Sequence, residues 1–148
     1  MSAPGAAPEI LRITNAIADL SRLYPWFEDA AAKLGLPKPL VQKMQVVAEE
    51  AVMNVAMHAY APGSEDKIEV RLSASQAIAE LVVEDCGPAF DPLAVTEQPR
   101  PASLAEAKVG GLGLNLLKRF CPDISYARLN GRNQLRLRFP LESPAAHV

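Results

Sequence analysis

Alternation of apolar and polar residues constrains the fold of this chain most, because a period of two indicates strands with one buried face. The segments "KIEVRLSA" (67–74) and "AIAELVVED" (77–85) both alternate, and "SASQ" can supply the turn between them. "DISYARL" and "NQLRLRF" alternate as well, and the intervening "NGR" is a strong hairpin signal. The sequence therefore predicts two antiparallel hairpins, and "EILRIT" near the start predicts a further short strand.

Helical periodicity occupies most of the remaining chain. Apolar residues recur at helical spacing over residues 15–34, and Pro25 predicts a kink or a break inside this segment. A long helix is predicted from about Pro39 to Ala59, and it ends before the turn-forming "APGSED". The glycine-rich "KVGGLGLNLLKRF" (108–120) predicts a loop that opens into an amphipathic helix.

Length and charge limit the classes of function. A chain of 148 residues suits one domain with a real core, and we expect a leader at 1–8, a single domain at 9–141 and a tail at 142–148. A net charge of -2 gives no general electrostatic attraction to nucleic acid or an anionic membrane. The first residues lack the pattern of a secretory signal, no apolar run could span a bilayer, and the two cysteines form no metal-ligand pattern. We expect a cytoplasmic protein.

The first candidate site lies on the long helix, in "VVAEEAVMNVAMHAY". Helical spacing places Glu50, Asn54 and His58 along one side, whereas the other positions are almost all apolar. Such a buried polar row must meet internal partners, a solvated cleft or a ligand. A carboxamide oxygen suits Mg²⁺, and a carboxylate one turn away could deprotonate a nucleophile.

The second candidate site is the strand end in "LVVEDCGPAFDP". Asp85 ends an apolar strand, and Gly87 opens the following turn. Both are ordinary strand-terminating residues, but a carboxylate there could also accept a hydrogen bond from a base amine while glycine lets the ring lie close. Cys86 has no activating base near it in the sequence, so we expect it to be a bystander.

The third candidate site is the glycine segment before the last predicted helix. Gly110, Gly111 and Gly113 leave backbone N–H groups at the helix start accessible to an anion such as phosphate. The segment is not a Walker A loop, because no Lys-Ser/Thr pair follows at the required place. It does not fit the dinucleotide fingerprint either, since Leu116 stands where a glycine or alanine is needed. A simple turn remains the alternative.

Taken together, the three motifs resemble the nucleotide-binding boxes of the GHKL ATPases, a group that contains gyrase, MutL and the histidine kinases. The resemblance covers roughly residues 10–140. Its N, G1 and G2 boxes correspond to Glu50-x-x-x-Asn54, Asp85-x-Gly87 and Gly111-x-Gly113. Within the group, "AEEAVMNVAMHAY", "EDCGPAFDP" and "GGLGLNLLKRF" look most like the small anti-sigma factor serine kinases.

The resemblance implies the Bergerat fold, an α/β (α+β) two-layer sandwich in which helices cover one face of a mixed, mostly antiparallel sheet. It implies ATP and Mg²⁺ as cofactors. Asn54 would hold the metal, Asp85 would bind the adenine amine, and Gly87 would border the ring. Residues 92–109 would form a lid. The other residues implied at the nucleotide site are His58, Phe90, Gly110, Gly111, Leu112, Gly113 and Leu114.

The resemblance also implies an activity. Glu50 would be the general base that activates a serine of an anti-anti-sigma (STAS-type) protein, and the chain would sequester a sigma factor or a similar regulator, alone or as a homodimer. A nucleotide-gated binding module with negligible kinase activity is the alternative. A structural domain that binds no nucleotide would require three coincidental motifs in the right order.

Two positions depart from the family pattern. Pro88-Ala89 occupies the place where many GHKL proteins have a second G1 glycine, and Cys86 stands where the anti-sigma branch often has an acidic or polar residue. Neither position is among the residues to which the resemblance assigns chemistry.

Overall fold

The computed structural model describes residues 7–56, 67–89, 121 and 123–141, and five strands in this part of the chain form one sheet. Every neighbouring pair is antiparallel, in the order β1-β2-β3-β5-β4. We expected a mixed sheet, but the described residues contain no parallel pair of strands. The strands are β1 (Glu9–Thr14), β2 (Lys67–Ala74), β3 (Ile78–Asp85), β4 (Asp123–Leu129) and β5 (Arg132–Pro140).

Both predicted hairpins and the predicted first strand are confirmed. The turn between β2 and β3 is closed by the Ser75 hydroxyl, which accepts hydrogen bonds from the backbone N–H groups of Ala77 at 3.3 Å and Ile78 at 3.1 Å. Between β4 and β5, Asn130 and Gly131 adopt positive φ angles of 52° and 76°. Two successive positive φ angles match the right-handed twist of a hairpin, which explains why Asn-Gly is favoured there.

The two faces of the sheet differ in chemistry. One face is apolar and buried, and residues from β1, β2, β3 and β5 contribute to it in alternation. The other face has ion pairs that cross the strands, including Glu84 with Arg132 at 3.0 Å and Glu80 with Arg138 at 2.9 Å. The alternation in the sequence thus separates a core face from a charged outer face.

Helices pack on the apolar face. They are α1 (Ile17–Leu20), α2 (Leu23–Lys33) and α3 (Lys38–Asn54). The predicted break in the first helical segment exists, but it lies at Ser21 and Arg22, before Pro25. Pro25 is the third residue of α2, where its missing N–H has no helical partner to lose, so it does not interrupt the helix.

The core joins α2 and α3 to the sheet. Phe27 of α2, Met44 and Val47 of α3, and Leu81 and Leu137 of the sheet are all fully buried in one cluster. This two-layer arrangement is the fold that the family resemblance implied. No described helix is both long enough and apolar enough to cross a bilayer. The predicted lid and the predicted glycine loop with its helix lie outside the described residues.

Candidate functional site

The C-terminal end of α3 presents two polar side chains next to the core. Asn54 is only 4% exposed, and Glu50 lies one turn earlier at a half-buried position. The apolar residues of α3 recur at helical spacing and anchor this helix to the sheet, so the polar pair is held in place by packing. Among the described residues, buried Nδ2 of Asn54 and buried Oε2 of Glu50 have no hydrogen-bond partner.

Burial changes the acid–base chemistry of Glu50. Desolvation raises the pKa of its carboxyl, and the negative charge of Glu49 raises this pKa further. A carboxyl with a raised pKa accepts a proton more readily than an exposed glutamate does, which suits a general base.

The end of β3 places Asp85 on the buried face, where it is only 3% exposed. Its Oδ1 accepts a hydrogen bond from the backbone N–H of Gly87 at 2.9 Å and another from Nδ2 of Asn133 at 2.9 Å. Burial raises the pKa of the Asp85 carboxyl, whereas these two hydrogen bonds and the charge of Arg128 oppose the rise. The carboxylate is therefore desolvated but stabilised by donors.

The turn after Asp85 is fixed from the side of the β4–β5 hairpin. Nη1 of Arg128 donates to the Gly87 carbonyl at 2.7 Å, and Nδ2 of Asn133 donates to the Pro88 carbonyl at 2.8 Å. Gly87 is itself buried. Backbone groups near the carboxylate are thus held by side chains from two other strands.

Residues of two predicted motifs line one small cavity. Its volume is about 10 Å³, which is roughly the smallest space that can hold one water molecule. Asn54 of the helix motif and Asp85 of the strand motif both line it, although they are far apart in the sequence. The full lining consists of Ala51, Asn54, Val55, Val83, Asp85, Tyr126, Asn133 and Leu135.

Several predicted site residues lie outside the described part of the chain and stay predictions. They are His58, Phe90, Gly110, Gly111, Leu112, Gly113 and Leu114.

Three residues near the site were missed by the sequence analysis, namely Tyr126, Arg128 and Asn133. Asn133 had a detectable signal, because it alternates in phase with Leu135 and Leu137 and therefore falls on the apolar face of β5. A polar residue at a buried strand position requires hydrogen-bond partners. Its partner on β3 is set by the sheet order, which the sequence pattern did not specify.

Comparison with known proteins identifies the family. The histidine kinase-like ATPase domain matches residues 13–139. The match covers most of the chain, which therefore belongs to this family of GHKL ATPases, and the family implies ATP as the bound nucleotide.

Two characterised relatives share parts of the sequence. The chain is 33% identical over 112 residues to the serine/threonine-protein kinase BtrW of Bordetella bronchiseptica, covering 76% of this chain and 79% of the relative. It is 24% identical over 83 residues to the anti-sigma F factor of Bacillus subtilis, covering 56% of this chain and 57% of that protein.

Solved structures show the same fold. The crystal structure of the RsbU and RsbW domains of a Mycobacterium tuberculosis protein aligns with a TM-score of 0.65 at 16% identity, over 94% of this chain and 34% of that one. This chain thus spans about a third of that larger protein. The histidine kinase domain of the Erythrobacter litoralis blue-light activated kinase aligns with a TM-score of 0.53 at 13% identity, over 95% of this chain and 71% of that one.

Proposed function

We propose that this chain is an ATP- and Mg²⁺-dependent protein serine/threonine kinase with an anti-sigma role. It would transfer the γ-phosphate of ATP to a serine of a STAS-type anti-anti-sigma protein, and it would bind a sigma factor or a similar regulator. The main observation in favour is that Asn54 and Asp85, from two separate motifs, line one cavity. The similarity to a serine/threonine kinase and to an anti-sigma factor supports the choice of partners.

Asp85 would select the base. Its buried carboxylate is an acceptor, and the 6-amino group of adenine is a donor of matching polarity. Within the described residues, both hydrogen bonds to this carboxylate end on Oδ1, so Oδ2 keeps its acceptor capacity for a ligand.

Asn54 would hold Mg²⁺ through its side-chain oxygen, a ligand type that this cation prefers. The buried Nδ2 of the same amide is a donor with no partner among the described residues, so it would meet an acceptor such as a water or a phosphate oxygen, because leaving it unpaired costs about 1–3 kcal/mol. The bound cation would neutralise charge on the phosphates. Gly110, Gly111 and Gly113, proposed from the sequence pattern alone, would bind the phosphates.

Glu50 would remove the proton from the serine hydroxyl of the partner as that oxygen attacks the γ-phosphorus, and the bond from this phosphorus to the bridging oxygen would break to release ADP. The raised pKa of Glu50 favours this role. Its position one helical turn from Asn54 would keep the base near the metal-bound phosphates without placing it among the metal ligands.

The proposal is tested by phosphate transfer to a purified STAS-domain protein, followed with radiolabelled ATP. We expect Glu50→Ala to lower the transfer rate by at least about 100-fold, the range of a lost general base, while ATP affinity is retained. Glu49→Ala is the matched control, because it removes the neighbouring exposed carboxylate of the same helix. Because burial, the larger cause of the raised pKa of Glu50, remains, this variant should keep most of the wild-type transfer rate.

Three results would contradict parts of the proposal. Full transfer by Glu50→Ala would show that Glu50 is not the base. ATP-dependent binding of the partner with no phosphate transfer by the wild-type protein would favour the nucleotide-gated binding module instead. A wild-type protein that does not bind ATP would overturn both functions.

A further inference from the structure

We infer that Asn133 is the positioning residue that makes this site selective for a 6-amino purine, because its carboxamide fixes which oxygen of Asp85 faces the base. This inference rests on the proposed function and deepens it. The relevant contacts all lie among described residues of β3, β4 and β5.

Asn133 is buried, at 4% exposure, and both ends of its carboxamide are engaged. Nδ2 donates to Oδ1 of Asp85 at 2.9 Å and to the Pro88 carbonyl at 2.8 Å. A carboxamide nitrogen has two hydrogens, so these two contacts use its donor capacity, and the Gly87 carbonyl at 3.4 Å shares it weakly.

The oxygen end of the same group fixes its orientation. The Tyr126 hydroxyl donates to Oδ1 of Asn133. A reversed carboxamide would place its oxygen against the Asp85 carboxylate and its nitrogen against the Tyr126 hydroxyl. The observed orientation is therefore the one that pairs each donor with an acceptor.

The hydrogen bonds that Asp85 already accepts determine which of its two carboxylate oxygens can bind a ligand. Oδ1 of Asp85 already accepts from Asn133 and from the Gly87 N–H, so the base must be read by Oδ2. A fixed Oδ2 accepts from an exocyclic amine and repels a carbonyl oxygen at the same place. Without Asn133, the carboxylate could turn and accept the ring N1–H of a 6-oxo purine instead.

The test compares the affinities of the full-length chain for ATP and inosine triphosphate, which differ at position 6 of the purine. We expect Asn133→Ala to weaken ATP binding by about 10- to 100-fold, the range for a lost hydrogen bond to a charged group, and to change inosine triphosphate binding by less than about 3-fold. Asn133→Thr restores a donor on a β-branched residue suited to a strand and should recover part of the selectivity.

Gln134→Ala is the matched control. Gln134 is the next residue of β5, and its amide also donates to a carboxylate of β3, Oε2 of Glu84 at 2.9 Å, but on the outer face of the sheet. This variant should bind both nucleotides as the wild type does. If Asn133→Ala does not fold, Tyr126→Phe provides the same readout, because it releases the carboxamide orientation and should reduce the ATP preference by a smaller factor.

Equal weakening of both nucleotides in Asn133→Ala would show that Asn133 only maintains the fold, and unchanged selectivity would also overturn its positioning role. In both cases the proposed function would stand as long as the wild type prefers ATP. A wild type that binds neither nucleotide would overturn the proposed function, and the role of Asn133 with it.

Discussion

Asn133 donates a 2.9 Å hydrogen bond to Asp85, although the two residues are 48 positions apart in the sequence. They meet because β3 pairs with β5, which places Asp85 directly opposite Asn133 in the antiparallel register. The residue at the candidate adenine site is therefore held by the last strand of the sheet, and the order of strands decides which side chain does so.

The first prediction concerns Asp85→Asn, which keeps the shape of the side chain and exchanges one acceptor for a donor. We expect the variant to lose the stabilisation by ATP. A ligand at about 100 times its dissociation constant adds about 2.7 kcal/mol to the free energy of unfolding. For a chain of this size that is a melting-temperature increase of roughly 5–10 °C. Thermal unfolding of the wild type and the variant, with and without ATP and Mg²⁺, measures this increase in melting temperature.

The ligand-free Asp85→Asn protein should melt at or above the wild-type temperature at neutral pH. Burial raises the pKa of Asp85, so the native state of the wild type bears the cost of a desolvated charge there. Glu84→Gln removes the neighbouring charge on the outer face and is the control that should keep the ATP effect. An unchanged ATP effect in Asp85→Asn would show that another group reads the base.

Much of the fold could be predicted from local patterns. Alternation located β1, β2 and β3 within a residue or so, and Asn130-Gly131 located the β4–β5 turn because this dipeptide tolerates positive φ at both positions. The prediction for the first helical segment was less accurate. Pro25 was taken as the point of a kink or break, but the chain breaks earlier and accommodates the proline in the first turn of α2.

The candidate site was only partly predictable for a physical reason. Motif spacing identified Asn54 and Asp85, since each belongs to a short local pattern. Arg128 and Asn133 act through contacts with the turn after β3, and these contacts exist only once the strands are ordered. Period-two patterns assign a residue to a face of a strand, but they do not determine which strand lies beside it.

The second prediction concerns stability against pH. Because the native pKa of Glu50 is raised, the native state binds this proton more tightly than the unfolded chain, whose value is near 4.5. The free energy of unfolding should therefore fall as pH rises from the unfolded pKa through the raised native pKa. Glu50→Gln has no such group, so its stability relative to the wild type should increase across this window.

Urea unfolding of both proteins at several pH values measures the difference. Glu49→Gln provides the same change of net charge on the exposed side of the helix. Because burial, the larger cause of the raised pKa of Glu50, remains in this variant, its stability should still fall across this window, by somewhat less than in the wild type. A stability difference between Glu50→Gln and the wild type that does not vary with pH would show that the carboxyl of Glu50 is not perturbed by burial.

The third prediction concerns Arg128→Met, which keeps the apolar stem and removes the charge. The guanidinium donates to the Gly87 carbonyl at 2.7 Å. Burial raises the pKa of Asp85, and the positive charge of Arg128 opposes part of this rise. Without it, the pKa of Asp85 should rise further. The carboxyl must be ionised to accept from the adenine amine, so ATP affinity on acidification should begin to fall at a higher pH in the variant than in the wild type.

ATP affinity measured across the acidic range tests this shift, and Arg136→Met, on the outer face, removes an equal charge as a control. A parallel loss of affinity at every pH in Arg128→Met would mean that only the hydrogen bond to the turn matters. Identical profiles for Arg128→Met and the wild type would mean that the guanidinium has no effect on the site.

The fourth prediction links the β4–β5 turn to the site through Gly131→Ala. Gly131 has a φ of +76° and its added Cβ would meet nothing within 4 Å, so the cost arises from the backbone alone. We expect about 1–2 kcal/mol of lost stability.

Gly35→Ala is the matched control, because Gly35 has a φ of +69°, has equally open surroundings and lies after α2, away from the site. Both variants should melt at similarly reduced temperatures. Only Gly131→Ala should also weaken ATP binding, by a few-fold, because its strain lies two residues before Asn133. Equal ATP affinity in the two variants, measured well below their melting temperatures, would show that the turn absorbs the strain without moving Asn133.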